Sequence, residues 1–290
     1  VSLIFYYAES EQMDEKKRSS LRQKLTETLT KVPKLGKYVA GYQRLREAGQ
    51  ICSHFSSYLE PVYVGDDSLK QEVYKIRHHV YCEELGFEAC RPDGMETDEF
   101  DEFSLYCLIH HITSDNYAGT VRLVTPRQQG ELLPIEKYCL DSITDQKLNP
   151  ANHPRDQICE ISRLAVPSRF RRRAMDKFDG AATGVINTQT YSEKELRCFP
   201  FIAVGLYFSA ASLAMRNNIQ HAYVMMEPRL ARSMRFVGIK FEQIGPVVDY
   251  HGRRAPYYIN QSMLLKSLSP GFKTMLTHIQ HSMYQSMGSK

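Results

Sequence analysis

The sequence predicts a mixed α/β fold with antiparallel strands. Short β-rich runs alternate with helical segments between Tyr58 and Leu265, and two of those runs flank a turn-like Ser114, Asp115 and Asn116 in the manner of a hairpin. Bulk composition agrees. At 290 residues, 42% hydrophobic and 24% charged, the chain has material for one large core and lacks the bias of a disordered, collagen-like or coiled-coil protein.

The elements follow in order. Residues 14–50, rich in Lys, Arg, Leu, Gln and Glu with loose apolar spacing, predict one or two surface helices interrupted near Pro33 and Gly36, so residues 1–57 read as a helical extension. Tyr58–Val64 predicts a strand, and Asp66, Asp67 and Ser68 carry capping oxygens ahead of a helix over Leu69–Glu84. Leu105–Ile112 and Tyr117–Val124 predict the hairpin, and Cys159–Val166 a strand stopped by Pro167. Phe199–Arg216 predicts a helix whose Ala203, Gly205, Ala210, Ala211 and Ala214 let it lie close on a sheet. His221–Met226 predicts a strand, and Pro228–Phe236 a helix opened by its proline and stopped at Gly238. Lys240–Ile244 and Tyr257–Leu265 predict closing strands around a turn-rich Asp249–Pro256. The main domain then covers 58–267, and the polar, Met-rich 268–290 predicts a loosely attached helix or frayed tail.

Several function classes are disfavoured. The longest apolar candidate, Phe199–Met215, is too short for a membrane span and is rich in Ala, Gly and Ser. A formal net charge of +4 leaves any basic partner site to local clustering. Seven scattered cysteines without a C-x-x-C pair suit reduced thiols, and the first residues lack the pattern of a secretory signal; both point to the cytoplasm. His78, His79, His110 and His111 come in pairs without metal-ligand spacing, so no metal is expected.

Charged residues in apolar settings carry the chemistry. Arg77 and Tyr81 are one helical turn apart and can share a pocket, or be a surface cation over a core aromatic. The acidic run Glu96, Asp98, Glu99, Asp101 and Glu102 is interleaved with Phe100 and Phe103, which anchor it. Glu160 and Arg163 lie inside an apolar strand, where charges need partners or a cleft. Three positions apart, they point to opposite faces of a regular strand, and a β-bulge between them turns both toward one cleft. We expect a bulge or splay there.

Arg77, Tyr81, Phe87, Asp98, Asp101, Arg122, Glu160 and Arg163 stand in the order of the signature of the acyl-homoserine-lactone (autoinducer) synthases, which the chain resembles: an Arg, an aromatic, L-G-W, E-x-D-x-x-D, R-L and E-x-S-R. A longer gap before Glu160 suggests an insertion around Asp141–Asp156. The phrases Y-C-E-E-L-G-F, E-I-S-R-L-A-V, R-F-R-R-R and Y-H-G-R-R-A-P-Y-Y-I are similar to acyltransferases associated with the PEP-CTERM and exosortase sorting system, relatives of the autoinducer and N-acyl amino acid synthases. The resemblance runs from about Tyr58 to Leu265.

This resemblance implies the GNAT (Gcn5-related N-acetyltransferase) fold, a mixed, mostly antiparallel sheet flanked by helices, whose fourth and fifth strands splay to admit a pantetheine arm. It implies attack of an amine on a thioester carbonyl, with Glu160 as general base and Arg163 helping backbone N–H groups at the oxyanion. Arg77, Tyr81, Phe87, Asp98, Asp101 and Arg122 become the active-site loop and amine-substrate residues, the carboxylates suiting an ammonium and the Arg a carboxylate. Val224, Met225 and Met226 read either as core or as the wall of an acyl-chain tunnel.

Two departures refine the expectation. Where ordinary GNAT enzymes place a glycine-rich phosphate loop, this chain has Arg169, Arg171, Arg172 and Arg173, a cationic edge suited to a phosphopantetheine phosphate and an acidic acyl carrier protein rather than to nucleic acid. Phe87 stands where the autoinducer synthases carry Trp, which argues against S-adenosylmethionine as acceptor. The expected function is an enzyme that moves a fatty acyl group from an acyl-carrier-protein or acyl-CoA co-substrate to the amine of a small molecule, such as an amino acid, with no tightly bound cofactor. Its membrane contact would be peripheral, through the lipid product. The alternatives are a homoserine-lactone synthase using S-adenosylmethionine and a non-catalytic thioester-binding regulator.

Overall fold

The computed structural model describes residues 52–171 and 201–288, so the helices expected within residues 14–50, Arg172, Arg173, Cys198 and the first residues of the helix expected from Phe199 lie outside the described residues. Leu59–Tyr63 (β1) follows helical residues 52–58, and the Asp66 carboxylate accepts the Leu69 N–H at 3.0 Å to start Asp67–Arg77 (α1). That helix does not stop at Arg77. It widens into a π-helical stretch, His78–Glu84, in which the Leu85 N–H reaches back five residues to the Val80 carbonyl.

A 3-10 turn at Glu99–Phe103 leads into the hairpin of Ser104–His111 (β2) and Asn116–Val124 (β3). Short Pro134–Cys139 (α2) precedes Ile158–Ala165 (β4), and 3-10 turns occupy the expected insertion. Ile202–Arg216 (α3), His221–Met226 (β5) and Pro228–Phe236 (α4) come next. Glu242–Gln243 (β6), Val248–Asp249 (β7), Arg253–Ile259 (β8), Gln261–Ser267 (α5) and Pro270–Gly288 (α6) complete the chain. The sheet runs β1-β2-β3-β4-β5-β8-β6, with β7 added to β8. Among the described strands only β4 and β5 pair in parallel; the others pair antiparallel.

Alternation sorts the two faces. On β2, Cys107 and Ile109 join the core under α3, while Tyr106 and Leu108 pack with Val73 and Ile76 of α1 and Val80 of the π-helical stretch on the other side. The small residues of α3 were expected on one face, yet the helix is buried nearly all round because α6 also packs against it. At Gly205 the helix lies directly against Phe55. A methyl group there would stand 2.8 Å from the Phe55 ring.

Three sequence expectations differ from the structure near the C-terminus. The strand over Lys240–Ile244 shrinks to two residues. The strand over Tyr257–Leu265 begins earlier, at Arg253, and ends at Ile259, because Asn260 caps a helix by accepting the Met263 N–H at 2.9 Å. The 268–290 segment is helical over Pro270–Gly288, one of the two readings, but the helix is not loosely attached. Met275, Leu276, Ile279 and Met283 form a helical-period stripe that is fully or almost fully buried, and α6 seals α3 and β1 with it. Ile279→Ala should therefore lower stability by about 2–5 kcal/mol in urea unfolding. An unchanged midpoint would mean that α6 is not part of the core.

Candidate active site

The site is built where β4 leaves its neighbours. On the β3 side, Thr120 faces Ala165 and Arg122 faces Ser162, so two steps of β3 oppose three of β4 and a bulge falls at Arg163–Leu164. Arg163 takes φ +48, a left-handed conformation that costs a non-glycine residue about 1–2 kcal/mol. On the other side, β4 and β5 pair only from Ile158–Glu160 against His221–Tyr223 and then part. The bulge and splay expected from Glu160 and Arg163 are both present, and both side chains line the resulting cleft of about 150 Å³.

The cleft passes through the sheet. Arg122, Glu160, Ser162, Arg163 and Leu164 form one wall; Val224, Met225, Met226 and Glu227 form the other. Tyr81 from the π-helical stretch, Pro134, Tyr207 of α3, Leu230, Tyr250 and Arg254 complete it. Tyr81 donates its hydroxyl to the Leu164 carbonyl at 2.9 Å, holding the bulge from outside the sheet. Burial raises the pKa of that phenol, against the pull of Arg163 and Arg254. It stays a neutral donor.

Beside the cleft lies a network of guanidinium and carboxylate groups. Arg77, wholly buried, donates from Nε to Glu96 Oε2 at 2.5 Å and from Nη1 to Asp101 Oδ1 at 2.7 Å. Arg122, equally buried, donates from Nη1 to Asp98 Oδ1 at 2.5 Å and Asp101 Oδ1 at 2.8 Å, and from Nε to Ser162 Oγ at 3.0 Å. Arg163 reaches Glu88 at 2.9 Å, Glu96 at 3.2 Å and Asp98 at 3.2 Å. Asp98 and Asp101 also close a capping box, the Asp98 side chain accepting from Phe100 N–H and Asp101 from Asp98 N–H. Phe100, buried at its centre, anchors the acidic run as its spacing suggested.

The charges are mutually required. Burial alone would raise the carboxyl pKa of Asp101, but Arg77 and then Arg122 bring it down to about 2. Burial likewise opposes ionisation of Glu96, and the hydrogen bond and charge of Arg77, with Arg163, lower its pKa below the ordinary value. For Arg77 the burial penalty is outweighed by Glu96 and Asp101, so its pKa moves up.

Glu160 stands apart from these pairs. It is almost fully buried and accepts one backbone hydrogen bond, from Ile135 N–H at the start of α2, at 2.7 Å. Burial pushes its carboxyl up to about 8, the Ile135 hydrogen bond and Arg122 opposing. A carboxyl that holds its proton at neutral pH and opens onto a cleft is a proton-transfer candidate.

Other expected residues are placed differently. Arg77 does not face the cleft; it is interior, and Tyr81 is the one on the wall, the reverse of a surface arginine over a core tyrosine. Phe87 sits outside the lining, with its ring 5.6 Å from His251 and under Arg254 at 5.9 Å. Arg169 lies over the Phe170 ring, and Arg171 pairs with Glu84. Glu96, Glu88, Tyr250 and Arg254 were given no role from sequence. Glu96 is the first acid of E-x-D-x-x-D, and Tyr250 and Arg254 lie in the Y-H-G-R-R phrase, so the signal was present. Among the described residues no group of His, Cys, Asp and Glu could hold a metal, and no helix is long and apolar enough to cross a membrane.

A protein-family profile described as an acetyltransferase (GNAT) domain matches residues 76–179. The fold is GNAT-like, and the matched segment is similar to acetyltransferase (GNAT) domains. Two solved structures, TofI and BjaI, agree on the fold. TofI, solved in a ternary complex with an inhibitor and MTA, has a TM-score of 0.51 at 16% identity, covering 74% of this chain and 99% of its own. BjaI, a CoA-dependent acyl-homoserine lactone synthase solved with SAM and isopentyl-CoA, has a TM-score of 0.50 at 16% identity, covering 76% and 90%. FeeM, an N-acyl amino acid synthase from uncultured soil microbes, has a TM-score of 0.48 at 12% identity, covering 72% and 94%. No curated protein matches the chain in sequence.

Two measurements test the electrostatics. Glu96→Gln removes the anion shared by Arg77 and Arg163 and should cost about 3–5 kcal/mol of stability in chemical denaturation. Glu160 has the opposite sense, since its folded pKa of about 8 lies above the ordinary 4.5. Its contribution is complete below the ordinary value and is lost as the pH rises through the folded one. The melting temperature of Glu160→Gln relative to wild type should therefore climb between pH 5 and about 8.5; a flat difference would show that Glu160 is ionised throughout.

Proposed function

We propose that the protein is an N-acyltransferase moving a fatty acyl group from a carrier-protein or coenzyme A thioester to the amine of a small molecule, with residues 58–267 as the transferase domain. The observation that carries this reading is the cleft between β4 and β5, open beyond Glu160 and walled by apolar Val224, Met225 and Met226. A thioester arm laid there has its carbonyl beside a buried carboxyl and its chain against adaptable side chains.

In this scheme Glu160, once ionised, takes a proton from the attacking amine, directly or through one water. The nitrogen lone pair forms the C–N bond, the tetrahedral oxyanion collapses, the C–S bond breaks, and the thiolate leaves and is protonated. Beyond Glu160 the main chain of β4 has no β5 partner, which supports a role for its N–H groups at the oxyanion. The guanidinium of Arg163, tied to Glu88, Glu96 and Asp98, supports that role by fixing the bulge. Asp98, Asp101, Arg77 and Arg122 hold the loop beside the amine, Tyr81 bounds the cleft, and Phe87 stands behind Arg254.

Arg169 and Arg171, continued in sequence by Arg172 and Arg173, support an acyl carrier protein as donor. Phe87 in place of Trp supports an amino-acid acceptor over S-adenosylmethionine. The phrases shared with exosortase-associated acyltransferases support a place beside that sorting system.

Mass spectrometry of lipid extracts from cells expressing wild type or Glu160→Gln tests the reading. New N-acyl amino acids in the wild type alone are expected; a lactone with methylthioadenosine release, or no new amide in either strain, overturns it. With purified protein, kcat/KM should rise with pH through an inflection near 8 that Glu160→Gln lacks.

A further inference from the structure

The cleft lining contains three guanidinium groups, from Arg122, Arg163 and Arg254. Two are already answered. Arg122 is held by Asp98 and Asp101, and Arg163 by Glu88, Glu96 and Asp98. Arg254 is different: its Nε is buried without a hydrogen-bond partner, and it forms no ion pair among the described residues. The face of Phe87, 5.9 Å away, is its cation-π contact. Glu227 also lines the cleft, but it is exposed at the start of α4 and does not pair with Arg254.

A partly buried guanidinium whose buried Nε has no partner is short of one anion. Its planar fork matches a carboxylate, and Phe87 fixes its plane from one side. Position adds direction. Arg254 lies on β8, which pairs with β5, whereas Glu160 lies on β4, so the cation and the carboxyl occupy opposite sides of the gap between β4 and β5. In an α-amino acid the nitrogen and the carboxylate leave one carbon in different directions. The nitrogen can face Glu160 while the carboxylate faces Arg254.

The geometry points to Arg254 as the receptor for a carboxylate on the acceptor, which makes the acceptor an amino acid or another amine with a free carboxylate; this rests on the acyl-transfer reading above. The phosphate of a pantetheine arm carries similar oxygens. The acceptor is favoured because Arg254 stands in the cleft that holds Glu160, where the amine reacts.

Equilibrium binding needs no turnover and so separates this proposal from the transfer reaction. The full chain, as wild type, Arg254→Gln and Arg254→Lys, would be titrated calorimetrically with N-octanoyl-, N-dodecanoyl- and N-hexadecanoylglycine and with the matching glycinamides, which differ only in charge. The wild type should bind at least one acid about tenfold more tightly than its amide, Arg254→Gln should erase that preference with amide affinity unchanged, and Arg254→Lys should keep part of it. Equal affinity for acid and amide, no binding of any acid, or a preference that survives in Arg254→Gln overturns the assignment. A second titration compares 4′-phosphopantetheine with pantetheine; a phosphate preference lost in Arg254→Gln would give the residue to the thioester arm and also overturn it. The lipid extracts judge the transfer reading separately.

Discussion

A buried guanidinium must be met by anions, and two among the described residues are almost entirely removed from water, Arg77 and Arg122, with Arg163 largely so. Their carboxylates, Glu88, Glu96, Asp98 and Asp101, all come from the segment that follows the π-helical stretch. Three elements, α1, β3 and β4, are thereby tied to one loop. Ion pairs of this kind add little net stability over a well-packed apolar replacement, because desolvation offsets most of the attraction. What they supply is position: α1 fixes Arg77, β3 fixes Arg122, and the loop between them has nowhere else to go.

The same network fixes the cleft. Arg163 can hold a left-handed backbone only if something keeps it there, and its side chain is gripped by three carboxylates while Tyr81 holds the next carbonyl. The bulge turns β4 away from β5 after Glu160, and the cleft follows. Glu160 lies at the last paired position, close to charge yet buried against α2, so it keeps a proton that its ionised neighbours have lost. Pairs of carboxyls pushed apart in this way divide structural work from proton transfer. In the proposed scheme Asp101 holds and Glu160 exchanges its proton.

Much of this was legible in the sequence, for identifiable reasons. A charge inside an apolar strand is costly, so Glu160 and Arg163 announced both a cleft and the bulge needed to reach it. Capping oxygens at Asp66 and the proline at the start of α4 marked helix boundaries because their chemistry is local. What was missed depended on distant partners. That Arg77 is interior follows from carboxylates 19 and 24 residues away, which no local window contains. The 268–290 segment looked polar because its apolar stripe is sparse, and only the exposed side of α3 and β1 gives that stripe something to cover. Asn260 read as strand interior until its cap to Met263 converted Leu264 and Leu265 to helix.

The central claim is that the parting of β4 and β5 is an acyl-thioester site. The most direct measurement is a crystal structure with a thioether analogue of hexadecanoyl-coenzyme A, which cannot be cleaved. The account predicts the arm between β4 and β5, its sulfur beside Glu160 and its chain against Val224 and Met226. An arm bound on another face, with the gap between the strands left empty, would contradict it.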